Sequence, residues 1–412
     1  MFKREYSTKE KEIIKFMFML TIFGFAAFLC NYHGVVRSYN TTMLALSYEY
    51  GFTSRALLGT LYHLLDAVLP VNMMNYQMVL RFAQIVTVLF FLFQFAFSWL
   101  CLRRTREENL RVCEYILLTF NFLSIATFSS GYNFFRVDLF MVVVCMTGAL
   151  LLIYGKAEWL VIPLSALGVM FHQGYVFMFF NVALVLLIYK FLSGDRKSRW
   201  KYGTIFVLSF LLGSALFLWF EFFSRSNGAL YYDQIRQEAV ALSENGYHLT
   251  LLQHEVLGID LTDSEWELRK YNIVQTPFFL LICLPYLIML IGFFVRLIRQ
   301  AKGKTEKWKY LFLLIGSGTM LPDFILKCDF GRWFYAVLAY YTVILVALCA
   351  MRDRLAEAEL VRIGERLKSR PWAMLLLLVP ILFGPFWDVD INIFMEHIST
   401  WLNANLLHWF NF

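Results

Sequence analysis

Apolar residues in this chain come in long unbroken runs, not at the spacing of a half-buried strand or a simple amphipathic helix. Runs near 20 residues recur along it, and each is long enough as a helix to cross about 30 Å of hydrocarbon. They predict eleven spans, at 13–32, 77–102, 112–129, 136–154, 158–171, 174–192, 203–223, 273–295, 310–326, 333–351 and 372–387. The expected fold class is therefore all-α, a polytopic transmembrane helical bundle, with 1–412 read as a single membrane domain. A β-barrel would show short alternating segments instead. The fifth and sixth runs are the weakest, and an alternative is two half-helices meeting at His172.

The polar stretches between the runs are unequal. The segment 31–76 contains "SYEYGFTSRALLGTLYHLLDAVLP", in which Leu57, Leu61, Leu64, Leu65 and Val68 recur at helical spacing behind Ser54 as an N-cap. This predicts an amphipathic helix at the membrane interface. The segment 224–272 is too polar to span and too long for a plain connector. It holds His248, His254 and Glu255, whose spacing does not suit zinc. The tail 388–412 lacks Lys and Arg and carries Phe394, Ile398, Trp401 and Trp409, as an interfacial helix would. Residues 352–368 read as a surface helix.

Composition agrees: 59% of the 412 residues are hydrophobic and 16% are charged, against about 25% charged in a soluble domain. The net charge of +7 would suit nucleic acid if it were gathered in one patch. It is spread instead over short loops. With the N-terminus in the cytoplasm and the C-terminus outside, 27 of the 37 Lys and Arg fall on the cytoplasmic side, as the positive-inside rule requires. The basic start before the first run could belong to a signal peptide, but no small-residue cleavage site follows. Seven cysteines form neither a disulfide framework nor a C-x-x-C pair. No P-loop, Rossmann fingerprint, nucleophile elbow or H-E-x-x-H is present.

Charges near membrane depth are costly and mark function by default. Four clusters fall on the predicted outer side. They are Glu49 and Arg55 in "YEYGFTSR", Arg136 and Asp138 in "SSGYNFFRVD", His172 and Gln173 in "GVMFHQGYVF", and Lys327, Asp329 and Arg332 in "LKCDFGRWFYAVLAYY". Guanidinium groups hold phosphate oxygens in a bidentate fork and stay charged when buried. Arg55, Arg136 and Arg332 are accordingly candidate binders of a polyprenyl diphosphate. Glu49, His172 and Asp329 are candidate catalytic groups that would take a proton from an acceptor hydroxyl. The plainer readings are snorkelling arginines, structural pairs such as Arg136 with Asp138, a packing His172, and an aromatic belt at Trp333, Phe334 and Tyr335. No cofactor is called for; a divalent metal is compatible with a diphosphate donor but not indicated.

At these residues the chain resembles two families of bacterial surface-polysaccharide assembly. "GYNFFRVDLFMVVV" and "GVMFHQGYVFMFFNVALVLL" are similar to segments of the Wzy-type O-antigen and exopolysaccharide polymerases, which implies roles for Arg136 and His172. "RVDLFMVVV" also resembles the R-x-D span start of C-type membrane glycosyltransferases, in which Glu49 would be the first-loop acid. Either resemblance implies an inner-membrane enzyme that moves sugar or glycan from a polyprenyl-linked carrier. Its partners would be that glycan, the bilayer and other assembly proteins, with no nucleic acid. A transporter or flippase of an anionic or lipid-linked glycan is the rival expectation.

Overall fold

The computed structural model describes residues 6–32, 34–130, 133–223, 229–257, 262–326 and 330–380. Among them the chain is all-helical, with an isolated bridge between Tyr32 and Ser130 and no strand. Six helices are long and apolar enough to cross a membrane: Thr8–Asn31, Tyr76–Arg104, Glu107–Ser129, Arg196–Phe222, Leu280–Gln300 and Gly331–Ala350. Shorter apolar helices cover Ala56–Val68, Asp138–Tyr154, Glu158–Phe171 and Phe180–Ser193. The chain is a multi-helix membrane protein.

The helices used below are α1 (Thr8–Asn31), α2 (Ser38–Ala45), α3 (Ala56–Val68), α4 (Tyr76–Arg104), α5 (Glu107–Ser129), α6 (Asp138–Tyr154), α7 (Val161–Phe171), α8 (Tyr175–Met178), α9 (Phe180–Ser193) and α10 (Arg196–Phe222). They continue with α11 (Tyr232–Ala241), α12 (Leu249–Glu255), α13 (Thr262–Gln300), α14 (Lys304–Ile315), α15 (Leu321–Leu326), α16 (Phe330–Ala350) and α17 (Arg354–Ser369). α16 forms the centre, with nearly every residue of its span buried. α1, α4 and α10 expose large apolar side chains such as Phe18, Leu89 and Leu211, as lipid-facing helices do.

Polar contacts tie the segments read as cytoplasmic into one basic end. Lys9 reaches the carbonyl oxygens of Arg103 and Thr105, and Arg104 donates to the carbonyl of Ala350. Arg106 pairs with Glu357 at 3.2 Å, and Arg296 with the buried Glu359. Asp353 caps α17 and accepts from Tyr189 at 2.7 Å, Tyr310 at 2.8 Å and Lys309 at 3.3 Å. Buried carboxylates with this many donors lock the helix ends together.

Several expectations change. The run 310–326 is not one helix: it breaks at Gly316–Met320 into a 3-10 turn between α14 and α15. A Cβ at Gly316 would lie 2.6 Å from Val185 Cγ1 and closer still to the Tyr340 hydroxyl. Asn181 Nδ2 fills the break, bonding the Gly316 carbonyl at 3.1 Å and Thr319 Oγ1 at 2.8 Å. The run at 158–171 is one helical stretch ending at Phe171, whereas 174–192 divides at Phe179 into α8 and α9. α13 begins at Thr262, inside the stretch read as outer loop. Ser54 does not cap α3; Arg55 stands at that position, and Ser54 Oγ points to the second loop. Leu61, Leu64 and Val68 of α3 are exposed as an apolar stripe, whereas Leu57 is buried. The end of the last predicted span and the tail 388–412 lie outside the described residues.

Candidate functional site

Opposite the basic end, the two long loops dock on each other and cap the bundle. His248 N–H donates to Thr42 Oγ1 at 2.9 Å, Tyr50 hydroxyl to Glu238, and Asn40 Nδ2 to the Phe134 carbonyl at 2.9 Å. Beneath this cap Arg55, Arg136 and Arg332 converge, although they come from three distant parts of the sequence.

The arrangement is built locally first. The chain enters α6 through Asn133–Val137, with Phe135 in the left-handed region at φ 62°. That turn leaves Asp138 in the first turn of α6, where a carboxylate complements the helix dipole. Arg136 Nη1 donates to Asn133 Oδ1 at 3.2 Å, and its Nε stands 3.3 Å from Asp138 Oδ2. Arg332, in the first turn of α16, approaches the other carboxylate oxygen, with Nε at 3.0 Å and Nη2 at 2.7 Å from Oδ1. Arg136, Arg332 and Asp138 are all buried.

Arg55 joins from the first loop, also left-handed at φ 61°. Its Nη1 donates to Tyr39 hydroxyl at 3.0 Å and lies 3.2 Å from Glu255 Oε1. Tyr39 turns its ring face to the Arg136 guanidinium, 5.3 Å from the centroid. One tyrosine therefore links two arginines through its hydroxyl and its π-face. A left-handed non-glycine residue costs about 1–2 kcal/mol, and two such residues flank this cluster. Arg55 Nε is buried and has no hydrogen-bond partner among the described residues.

Glu255, the last residue of α12, is the anion on Arg55. Ser54 Oγ lies 2.7 Å from its Oε2, and Gln173 Oε1 also contacts Ser54. Burial would raise the Glu255 pKa, but Arg55 and the hydrogen bonds from His254 and Ser54 outweigh it, holding the carboxyl at about 2. Arg55 is held above its ordinary range: burial opposes its charge, as do Arg332 and Arg136, but Glu255 and Tyr39 prevail. Because Glu255 is ionised, the 3.0 Å contact with His254 requires a proton on His254 Nδ1. Proton exchange by a neutral imidazole is then directed to Nε2.

The linkage has a definite sign. A glutamate held at about 2 in the folded state, against an ordinary 4.5, stabilises the fold above pH 4.5 and loses that contribution as pH falls toward 2. The difference is on the order of 3 kcal/mol. Thermal stability of the purified protein is expected to decline between pH 4.5 and 2 through this group. Glu255→Gln should flatten that part of the profile.

The other sequence candidates lie differently. His172 is buried at the end of α7, and its Nδ1 accepts the Gly174 N–H at 2.8 Å. A neutral ring there carries its proton on Nε2. Glu49 is largely exposed and belongs to a second cluster, with His63 Nδ1 3.3 Å from its carboxylate and His63 Nε2 3.5 Å from Glu238. Asp329 lies outside the described residues. Tyr39, Ser54, His254 and Glu255 join the site without having been singled out for it. Within the polar stretch 224–272, only the adjacency of His254 and Glu255 hints at their partnership.

The cavity against the cluster is small, about 10 Å³, and is bounded by Thr127, Asn133, Arg136, Asp138, Arg332 and Tyr335. That is room for at most one water. The site is thus closed, and a larger ligand requires the cap to lift. Comparison with protein-family models, curated proteins and solved structures returns no match to this chain.

Proposed function

We propose that the chain is a multi-pass enzyme of the inner (plasma) membrane that transfers sugar or glycan from a polyprenyl-(di)phosphate carrier during cell-surface polysaccharide assembly. The observation that carries this reading is the convergence of Arg55, Arg136 and Arg332 under a cap made of two loops. Three guanidinium groups at one membrane face suit a diphosphate attached to an apolar tail. Glu255 now occupies Arg55 as a carboxylate stand-in for such an anion. Withdrawal of the Glu255 carboxylate from Arg55, with its contact to His254 kept, would open Arg55 and its Nε to the donor.

In the reaction, an acceptor hydroxyl oxygen attacks the anomeric carbon. The bond from that carbon to the diphosphate oxygen breaks, and the diphosphate leaves with the electron pair. Its growing negative charge is stabilised by the arginines. The hydroxyl proton passes to His254 Nε2, whose orientation Glu255 sets. His172, which the polymerase resemblance favours, lies on the neighbouring break between α7 and α8 and would hold the acceptor by hydrogen bonding.

A specific observation favours a second reading, as a transporter or flippase. The helices are interrupted at His172 and at Gly316–Met320, and discontinuous helices are how many transporters build their sites. Proteoliposomes loaded with labelled polyprenyl-diphosphate oligosaccharide separate the two. The enzyme is expected to release polyprenyl diphosphate and lengthen or transfer the glycan, with at least about a hundredfold loss in Arg136→Ala. Label crossing the bilayer without that product would overturn the enzymatic reading.

A further inference from the structure

A second site lies at the basic end, away from the arginine cluster. A groove of about 570 Å³ runs between the end of α9 and the first turns of α10. Its lining includes Phe191, Trp200, Gly203, Val207 and Leu208, together with Arg196 and Arg199 from the first turn of α10. The volume falls within the range of about 300–1,000 Å³ typical of ligand-holding clefts. The apolar walls are open, with Trp200 73% exposed and Val207 50% exposed.

Two features make this more than a gap between lipid-facing helices. Gly203 leaves the floor empty, since a Cβ there would already stand 3.3 Å from the Phe191 ring. Arg199 is fixed at the rim by its Nε, which donates to the Gly194 carbonyl at 3.0 Å and leaves the Nη groups directed elsewhere. Nearby acids are already occupied. Asp195 caps α10 through the Ser198 N–H at 2.9 Å, and Glu158 takes Lys201, Lys190 and the Tyr202 hydroxyl. Among the described residues, no ion pair engages Arg196 or Arg199.

We infer that this groove binds an anionic phospholipid of the leaflet at the basic end, with the phosphate on Arg196 and Arg199 and an acyl chain along Gly203, Val207 and Leu208. The charge complementarity is direct. An uncharged groove would not distinguish lipids, whereas two cations at one end of an apolar trough select a net-negative headgroup. Trp200 lies where an amphipathic ring marks headgroup depth. The apolar exposure continues along α10 through Leu211 and Leu218, so the acyl chain passes into bulk lipid without a polar barrier. The inference does not depend on the proposed reaction at the opposite end.

The test is lipid titration of the purified full chain by native mass spectrometry, using phosphatidylglycerol, phosphatidylcholine and inorganic phosphate separately. Wild type is expected to retain phosphatidylglycerol in preference to phosphatidylcholine. The double variant Arg196→Gln, Arg199→Gln should lower phosphatidylglycerol affinity at least about tenfold and erase the preference. Gly203→Leu, which fills the floor but keeps both arginines, should weaken retention as well. Arg366→Gln with Lys368→Gln, on the exposed face of α17, should leave it unchanged. Equal retention of the two lipids by wild type would overturn the inference. So would a preference that survives the double variant, one that follows the α17 charges, or binding of inorganic phosphate as tight as that of the lipid.

Discussion

Arg332→Ala is expected to destabilise the protein by about 3–5 kcal/mol and to abolish the glycan transfer proposed above. The variant removes both the Nε and Nη2 contacts to Asp138 Oδ1 and leaves that carboxylate buried with Arg136. Breaking a buried, hydrogen-bonded charge network costs this much because Asp138 Oδ1 is left without its donors in a dry interior. Arg332→Lys should fall between the two, since an ammonium cannot reproduce the two-pronged approach of the guanidinium. Replacing the whole triad with apolar residues, as in Arg332→Leu with Asp138→Leu and Arg136→Leu, is expected to recover most of the lost stability and none of the activity. Thermal unfolding in nanodiscs, run beside the proteoliposome assay, reads both. Activity in the triple variant at the wild-type rate would make the cluster a packing device.

The second large effect concerns Gly59, in the first turn of α3. A Cβ there would lie 2.7 Å from the Leu44 carbonyl oxygen and closer still to that of Leu46. These are backbone atoms and cannot rotate away, so Gly59→Ala must push α3 off the α2 end. We expect a loss at or above about 3 kcal/mol, the upper end of overpacking costs. The displacement would also carry Arg55, one turn before Gly59, away from Tyr39 and Glu255. Limited proteolysis of the 224–272 stretch should therefore accelerate together with the loss of stability. Gly303→Ala, where an added Cβ meets nothing within 4 Å, is the matched control and should be nearly neutral.

Some of this was legible in the sequence and some was not, for physical reasons. Long apolar runs announce membrane helices because the bilayer leaves few alternatives. The three arginines stood out because a charge near membrane depth carries a cost that must be repaid. The R-x-D spacing also placed Arg136 and Asp138 close together. Glu49 and Arg55 read as one cluster because they stand six positions apart in the same short stretch. The chain between them turns at Gly51, φ 117°, and again at Arg55, so Glu49 meets His63 instead. Glu255 could not be assigned to Arg55 because its 3.2 Å contact joins two loops that share no local periodicity. The break at Gly316 was equally hidden: its cause is the Tyr340 and Val185 side chains of other helices.

The Asp138–Arg332 contact also sets an order of events during synthesis. Its partners are 194 residues apart in the chain. While the nascent protein is being inserted, Asp138 has Arg136 beside it and must wait for α16 before its second guanidinium arrives. A chain cut before Arg332 would lack the central helix and one of the three cations together. The half-made protein therefore presents Asp138 Oδ1 without its guanidinium donors, a polar atom left unpaired at the membrane. Expressing residues 1–300 and 301–412 as separate pieces would ask whether the late segment can complete the early one in trans.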